Sequence, residues 1–453
     1  MNPVIGSGIK GMTGDEMNRI KWIDDIICPY CSGSLRVVEN LVNKDNNGFS
    51  GIVECTCRLH PVTHNILNFG GKTGYAMDTA VSYLKRGNIE KATLVQIENE
   101  TLGQTFFSKI VRKLFKHGVI HKEKISSWRN LTAPDLLHVS TFTQGTRRLN
   151  LGSFGEYLIN RYALPSFHAA LPICFLLRAL NFRSILDIGC GAGHYTYILK
   201  KLFPDSAYFG IDQYYANLLL GQRFLNPGDG AFICLDLKYK APFKNKFELI
   251  FSSDTHHTLS IDSVFFKNYL DLVKTSGLIY LPRFDHSWGK SFRHAPAEKY
   301  KLDNGMACHL LSEEFIMETF HKDNRINLSN LLKQQDLINS RAFGLILGNP
   351  ENILNLESDN FSEKLSKTIG PWCLDPCYHQ IPGKGKDIFR IDTNCALPHP
   401  EERENTILNY MQAELELPHG SVEGRQILQN TELLPELIRN YSVHVSPPDY
   451  WEK

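Results

Sequence analysis

The chain has 453 residues, 42% of them hydrophobic and 21% charged, a composition that excludes disorder, collagen and coiled coil and leaves ample apolar material for a packed core. Lys and Arg number 49 against 48 Asp and Glu, a formal net charge of +1, so the bulk positive field used in non-specific nucleic-acid binding is missing and only a local basic patch is compatible with it. At about 150 residues per domain, the length predicts two or three domains.

No stretch matches the roughly 20 apolar residues that a bilayer crossing requires; the most apolar, His168 to Leu180, is broken by Pro172 and Arg178. Met1 to Ile20 mixes Gly, Lys, Asp, Glu and Arg and has no apolar core before a small-residue cleavage site, so a cytoplasmic protein is expected. Its eleven cysteines are then reduced thiols, and a tight cysteine cluster reads as a metal site before a disulfide.

Such a cluster opens the chain. Cys28-Pro29-Tyr30-Cys31 is followed by Cys55-Thr56-Cys57, with His60 and His64 just beyond. Between the pairs, Ser34 to Val38 reads as a strand, Asn43 to Gly48 as a polar turn and Gly51 to Glu54 as the returning strand. Two short cysteine pairs on adjacent turns can supply the four tetrahedral ligands that structural zinc needs, here Cys28, Cys31, Cys55 and Cys57. After Gly70-Gly71, Ala76, Ala80, Tyr83 and Leu84 recur at helical spacing, and a second helix is predicted around Thr105 to His117. Its Lys109, Arg112, Lys113 and Lys116 read as a solvated face, because Ile110, Val111, Leu114 and Phe115 would turn to a core. Lys122 to Asn150 reads as a connector.

Helices are predicted from Phe154 to Leu180. A strand (Ser184 to Ile188), a Gly-rich turn (Gly189 to Gly193), a helix (His194 to Phe203) and a second strand (Ala207 to Asp212) then follow in quick succession. Further strands at Gly230 to Cys234, Phe247 to Ser252, Gly277 to Leu281 and Ala342 to Leu347 are spaced for intervening helices, which makes an α/β doubly wound parallel sheet the natural solution. Glycines after a buried strand let the backbone turn sharply and approach a ligand, Asp187 offers a carboxylate at the strand end, and Asp212, about 20 residues on, is placed to accept both hydroxyls of a ribose. Asp236, after the third strand, is placed to meet an adenine amino group. From Asn349 the chain is punctuated by Pro, Gly, Asn and Cys and reads as a loop-rich extension.

These residues, from about Gly155 to Leu347, resemble the class I S-adenosylmethionine-dependent methyltransferases. The resemblance rests on Asp187-Ile188-Gly189-Cys190-Gly191-Ala192-Gly193, Asp212, Asp236 ahead of Ala241-Pro242-Phe243, Phe247 to Ser253 with His256-His257 behind, and Lys274-Thr275-Ser276-Gly277 entering a fifth strand. It implies a Rossmann-like seven-stranded sheet and donor binding by Asp187, Gly189, Cys190, Gly191, Gly193, Asp212, Gln213, Asp236, Leu237 and Ser253. The N-terminal cysteines resemble the zinc ribbon typified by the small activator subunit of tRNA and protein methyltransferases. They are also similar to the ribbon of ribosomal-RNA guanine-N1 methyltransferases, in which three Cys and one His hold zinc, and that comparison makes His60 a rival to Cys55.

Methyl transfer is an in-line displacement in which positioning the acceptor, and sometimes removing its proton, is most of the protein's task. Polar residues after the fourth strand include Asp254 and His257, the candidate general bases, and Arg283 to Trp288 should border the same opening. The expected organisation is a zinc ribbon at 1–72, a helical connector at 73–150, a donor-binding domain at 151–348 and an extension at 349–453. Near-neutral charge and the extension favour a small-molecule acceptor, methylated on O, N or C. The alternatives are an RNA or protein acceptor docked by the ribbon and the Lys109 to Lys116 helix, and a non-catalytic module that binds the donor for a partner.

Overall fold

The computed structural model describes residues 21–41, 48–71, 76–101, 157–158, 160–225, 231–255, 270–286, 307–334, 340–382, 386–392, 403, 407–427 and 432–445. The helix expected around Thr105 to His117, the connecting stretch Lys122 to Asn150 and, apart from Gly48, the turn expected at Asn43 to Gly48 lie outside them.

The N-terminal segment forms four strands, β1 (Arg36–Leu41), β2 (Ser50–Glu54), β3 (Leu59–Thr63) and β4 (Ile66–Asn68), joined in antiparallel order. Helices Ala76–Leu84 and Ile89–Thr101 follow, the first where Ala80 and Leu84 predict it and the second unanticipated. Then come β5 (Ser184–Ile188), β6 (Ala207–Asp212), β7 (Ala231–Cys234), β8 (Phe247–Phe251), β9 (Val273–His286), β10 (Ala307–Ser312), the two-residue β11 (Ile326–Asn327) and β12 (Ala342–Gly348). All but β11 lie in one mixed sheet of 11 strands, ordered β1-β2-β3-β4-β7-β6-β5-β8-β9-β12-β10. A seven-stranded sheet was expected. The extra four strands arise because β4 adds in parallel to the edge strand β7, with Asn68 opposite Cys234, so the N-terminal segment extends the sheet.

The five strands β7, β6, β5, β8 and β9 run parallel, β12 returns antiparallel to β9, and β10, antiparallel to β12, runs in the common direction again. Their apolar residues are continuous because both faces are covered. Ile185 turns to one layer with Ile198 and Leu199, whereas Leu186 and Ile188 turn to the other with Phe209, Ile211 and Ile233. Ile23, Ile26 and Cys28 belong to that second layer, so the N-terminal segment also covers a face.

The extension is more regular than a loop-rich tail. Its described residues form β14 (Trp372–Leu374), β15 (Tyr378–Ile381), β16 (Lys386–Ile391), β17 (Glu414–Pro418) and β20 (Val443–Val445), together with the two-residue strands β13 (Glu357–Ser358), β18 (Val422–Glu423) and β19 (Gln426–Ile427). These make one three-stranded and one four-stranded sheet, while β13 pairs with β11. Trp372, Tyr378, Leu415, Ile427 and Val443 share a core with Phe167, Ile173 and Leu177 of the helix Pro165–Leu177. Within it, the buried Arg403 pairs with the buried Asp375 at 2.8 Å and also donates to the Ala163 carbonyl, which ties the extension to the front of that helix. Cys373 and Cys377 are both buried, Cys377 within this core.

Candidate functional site

The carboxyl ends of β5, β6, β7 and β8 place the donor-side candidates side by side. Asp187, at the end of β5, is buried and accepts from Thr196 Oγ1 at 2.8 Å. Burial raises its carboxyl to about 7, against the opposing Thr196 hydrogen bond and with a smaller push from Asp212. The turn that follows is left-handed at Gly189 (φ +66°), Gly191 (φ +55°) and Gly193 (φ +80°). A Cβ on Gly189 would lie 2.4 Å from Thr255 Oγ1, whereas one on Gly191 would meet nothing within 4 Å. The turn is therefore packed on one side and open on the other, and the helix His194–Leu202 starts directly behind it.

Asp212 closes β6 and bridges this turn to the next helix. Its Oδ2 accepts from the Gly191 amide at 3.0 Å and its Oδ1 from the Tyr214 amide at 2.8 Å. Gln213 follows, half-buried, and its carbonyl accepts from Cys234 Sγ at 3.7 Å. Cys190 is buried, and burial pushes its thiol far above the ordinary range, so it contributes a neutral wall. Beyond β7, the Leu235 amide donates to the Asp212 carbonyl at 2.9 Å, Asp236 pairs with Lys238 at 2.9 Å, and Leu237 is buried.

On the side where an acceptor is expected, Ser253 and Asp254 follow β8, Asp254 in a left-handed conformation (φ +55°). Arg161 holds both, with Nη1 on Asp254 Oδ2 at 3.0 Å and Nη2 on Ser253 Oγ at 2.9 Å. Tyr157 OH donates to the same Asp254 oxygen at 2.5 Å, and the guanidinium lies over the Tyr157 and Tyr195 rings at 5.0 and 5.6 Å. A second buried ion pair joins Arg283, within β9, to Glu313 at 2.7 Å. His257 lies outside the described residues. Arg161 and Glu313 were missed in the sequence: each is a single charge whose partner is remote in the chain, and neither sits in a motif.

The N-terminal candidates also converge. The ligand atoms of Cys28, Cys55, Cys57 and His60 all lie within 4.8 Å of one another. Cys28 Sγ is 3.6 Å from Cys57 Sγ and 3.9 Å from His60 Nε2, and Cys55 Sγ is 3.2 Å from Cys57 Sγ and 3.5 Å from His60 Nε2. Bonds of about 2.3 Å to sulfur and about 2.0 Å to nitrogen put tetrahedral zinc ligands roughly 3.5–3.8 Å apart, so this spacing fits the metal. Burial holds His60 neutral, its imidazole lowered to about 3, with Arg58 adding to the effect. Burial also raises the Cys28 thiol, so a cation is what would make such a pocket of thiolates stable. Cys31, expected among the ligands, lies beside the group with its Sγ accepting from Thr56 Oγ1 at 3.3 Å; His60 stands in the set of four instead.

The fold is the Rossmann-like mixed sheet of the methyltransferases, and residues 185–277, from β5 into β9, match the family model described as a methyltransferase domain. Two curated relatives carry the same name, malonyl-[acyl-carrier protein] O-methyltransferase. The one from Bacillus cereus is 26% identical over 119 residues, 25% of this chain and 44% of its own, and the one from Acetivibrio thermocellus is 26% identical over 102 residues, 22% of this chain and 36% of its own. The chain thus spans less than half the length of either relative. Among solved structures, the plantazolicin methyltransferase BpumL in complex with SAH is similar at 17% identity, covering 49% of this chain and 97% of that one, with a TM-score of 0.33. No helix among the described residues is long and apolar enough to cross a membrane.

Proposed function

We propose that the chain is an S-adenosylmethionine-dependent methyltransferase acting on a small-molecule acceptor. The observation that carries this reading is the ordered set of groups at the strand ends: the Gly189–Gly193 turn with open space before Gly191, Asp187 and Asp212 in the neighbouring parallel strands β5 and β6, and Asp236 just past the end of β7. Asp187 and the turn fit the methionine end of the donor, Asp212 and Gln213 the ribose, and Asp236, Leu237 and Cys190 the adenine. Ser253 would lie at the junction of donor and acceptor.

A bound donor supplies a methyl group on a positively charged sulfur, so the chain's own task is alignment and, for a protonated acceptor, proton removal. Asp254 has its Oδ2 engaged by Arg161 and Tyr157, which suits it to fix the pocket wall, and His257 is proposed as the base. The names of the curated relatives support a small or carrier-held acceptor over a nucleic acid, in line with the near-neutral charge. Cys28, Cys55, Cys57 and His60 are proposed to hold a structural zinc ion.

The test is calorimetric titration of the full chain with S-adenosylhomocysteine. Asp212→Ala removes an acceptor for two backbone amides and is expected to weaken binding by about 1–3 kcal/mol, roughly five- to 150-fold; unchanged affinity refutes the donor assignment. Methyl-labelled donor incubated with a fractionated host lysate then reports the acceptor class. Label in the small-molecule pool, or on a group that mild base releases from a carrier protein, supports the proposal, and label in RNA or on a protein's own residues overturns its acceptor half.

A further inference from the structure

The proposed metal ligands sit against the donor side of the sheet, and the contacts between the two are specific. The segment just before Cys28 is stitched to the loop after Asp236: the Ile27 amide donates to the Pro242 carbonyl at 2.9 Å, the Lys244 amide to the Asp25 carbonyl at 3.0 Å, and Asn245 Nδ2 to Asp25 Oδ1 at 2.7 Å. Tyr30, between Cys28 and Cys31, packs edge-on against Tyr239 at 5.2 Å and near-parallel to His60 at 6.4 Å. Its hydroxyl donates to the Phe69 carbonyl, and the Phe69 amide donates to the Cys234 carbonyl at 2.9 Å. Tyr239 in turn donates its amide to the Asp236 carbonyl at 3.0 Å, and its ring lies 5.2 Å from Lys238 Nζ, the partner of Asp236. Gly71 closes the far side, so near the backbone after β6 that a Cβ there would lie 2.4 Å from the Gln213 carbonyl.

The loop 236–245 is therefore gripped at one end by residues 25–27 and at the other by Tyr30, both fixed by the knuckle that carries Cys28. We infer that this Cys/His centre works as a clamp on the adenine side of the donor site, so that metal occupancy sets donor affinity through Tyr30 and Tyr239. This rests on the donor assignment proposed above. Without a metal the knuckle loses the constraint holding Tyr30 in place, because a structural zinc site contributes its binding energy to folding. Asp236 and Leu237 then keep their sequence but not their fixed position. Tyr30 and Tyr239 act as positioning residues.

The experiment uses the full chain, its zinc content measured by plasma emission, with S-adenosylhomocysteine as the calorimetric probe. The zinc-loaded chain should hold about one metal ion per protein, and stripping it with a strong chelator should weaken the probe about ten-fold or more while far-UV circular dichroism keeps the signal of the main sheet. Tyr30→Ala and Tyr239→Ala should each weaken the zinc-loaded chain by roughly three- to ten-fold, the range of one aromatic pair. The double variant should be no weaker than the worse single one, since both remove the same contact, an outcome that general loosening would not give. If either alanine variant fails to fold, Tyr30→Phe and Tyr239→Leu replace them and should lose less. An unchanged dissociation constant after stripping, additive single effects, or a chain that binds no zinc overturns the inference and leaves the donor site standing. Failure of the zinc-loaded wild type to bind the probe refutes the donor assignment itself, and the inference with it.

Discussion

Arg403→Met isolates one buried charge pair whose cost follows from the geometry. Arg403 Nη2 reaches both oxygens of Asp375 at 2.8 and 2.9 Å and Nη1 reaches the Ala163 carbonyl, with side-chain exposures of 2% and 0% for the pair. Methionine fills much of the same volume but leaves the carboxylate with the Cys377 amide, 2.9 Å from Oδ1. Breaking such a pair costs about 3–5 kcal/mol, because an uncompensated buried charge remains. Burial pushes the Asp375 carboxyl up, and Arg403 and the Cys377 amide more than offset it, holding it below the usual range. That depressed value gives the wild type a contribution present above the unfolded value of about 3.9 and lost as pH falls through the folded one. In the variant burial dominates and the group takes up a proton on folding, so the cost grows from about pH 4 to neutrality. Urea unfolding followed by circular dichroism at pH 5 and 7 measures both effects, and adding Asp375→Asn to Arg403→Met should recover at least half the loss. A single-variant cost below about 1 kcal/mol at pH 7 with an unchanged denaturant slope, or a double variant no better than the single, refutes the reasoning.

Other outcomes follow from the same geometry. Asp187, raised by burial from 3.8 to about 7, binds a proton on folding, so its contribution to stability is fully present below about pH 4 and is lost as pH rises through about 7. Asp187→Asn should flatten that slope in thermal melts between pH 4 and 8; an unaltered slope counts against the assignment. If Asp187 meets the ammonium group of the donor, S-adenosylhomocysteine should bind the wild type more tightly at pH 8 than at pH 6 and the Asn variant equally at both. Gly189→Ala places a Cβ in the left-handed region against Thr255 Oγ1 and should lower stability by about 1–3 kcal/mol. Thr255→Ala in the same chain should recover part of that loss, and no recovery would locate the strain in the backbone alone.

What the sequence made legible was the part whose chemistry is local. The Gly189–Gly193 turn announces itself because only glycine accepts three positive φ values so close together, and β5 and β6 are short apolar runs on either side of it. The carboxylates proposed to meet the donor could be named because each lies at or just past the end of a strand, a position that depends on counting and not on tertiary contacts. β3 was not read as a strand because Pro61 interrupts it, although in the structure it pairs opposite Ile52. The extension's strands run for two to six residues between Pro and Gly, too short for period-2 alternation to register. Arg161 and Arg403 were illegible for another reason, since their partners Asp254 and Asp375 are chosen by packing across long sequence separations. The proposed metal set was legible as a cluster but not as a choice of four, because which of Cys31 and His60 joins it depends on how β3 returns beside β2.

The parallel union of β4 with β7 has a consequence for the order in which the molecule assembles. Ile66 lies opposite Phe232, and well over a hundred residues of chain separate them. During synthesis the N-terminal hairpin is complete long before its docking strand exists, so it must wait with an exposed sheet edge that invites intermolecular pairing. Local cross-linking by a metal ion would keep that waiting hairpin closed on itself. Protein made under zinc depletion is accordingly expected to be lost to aggregation at the nascent stage, even where the finished chain tolerates removal of the ion.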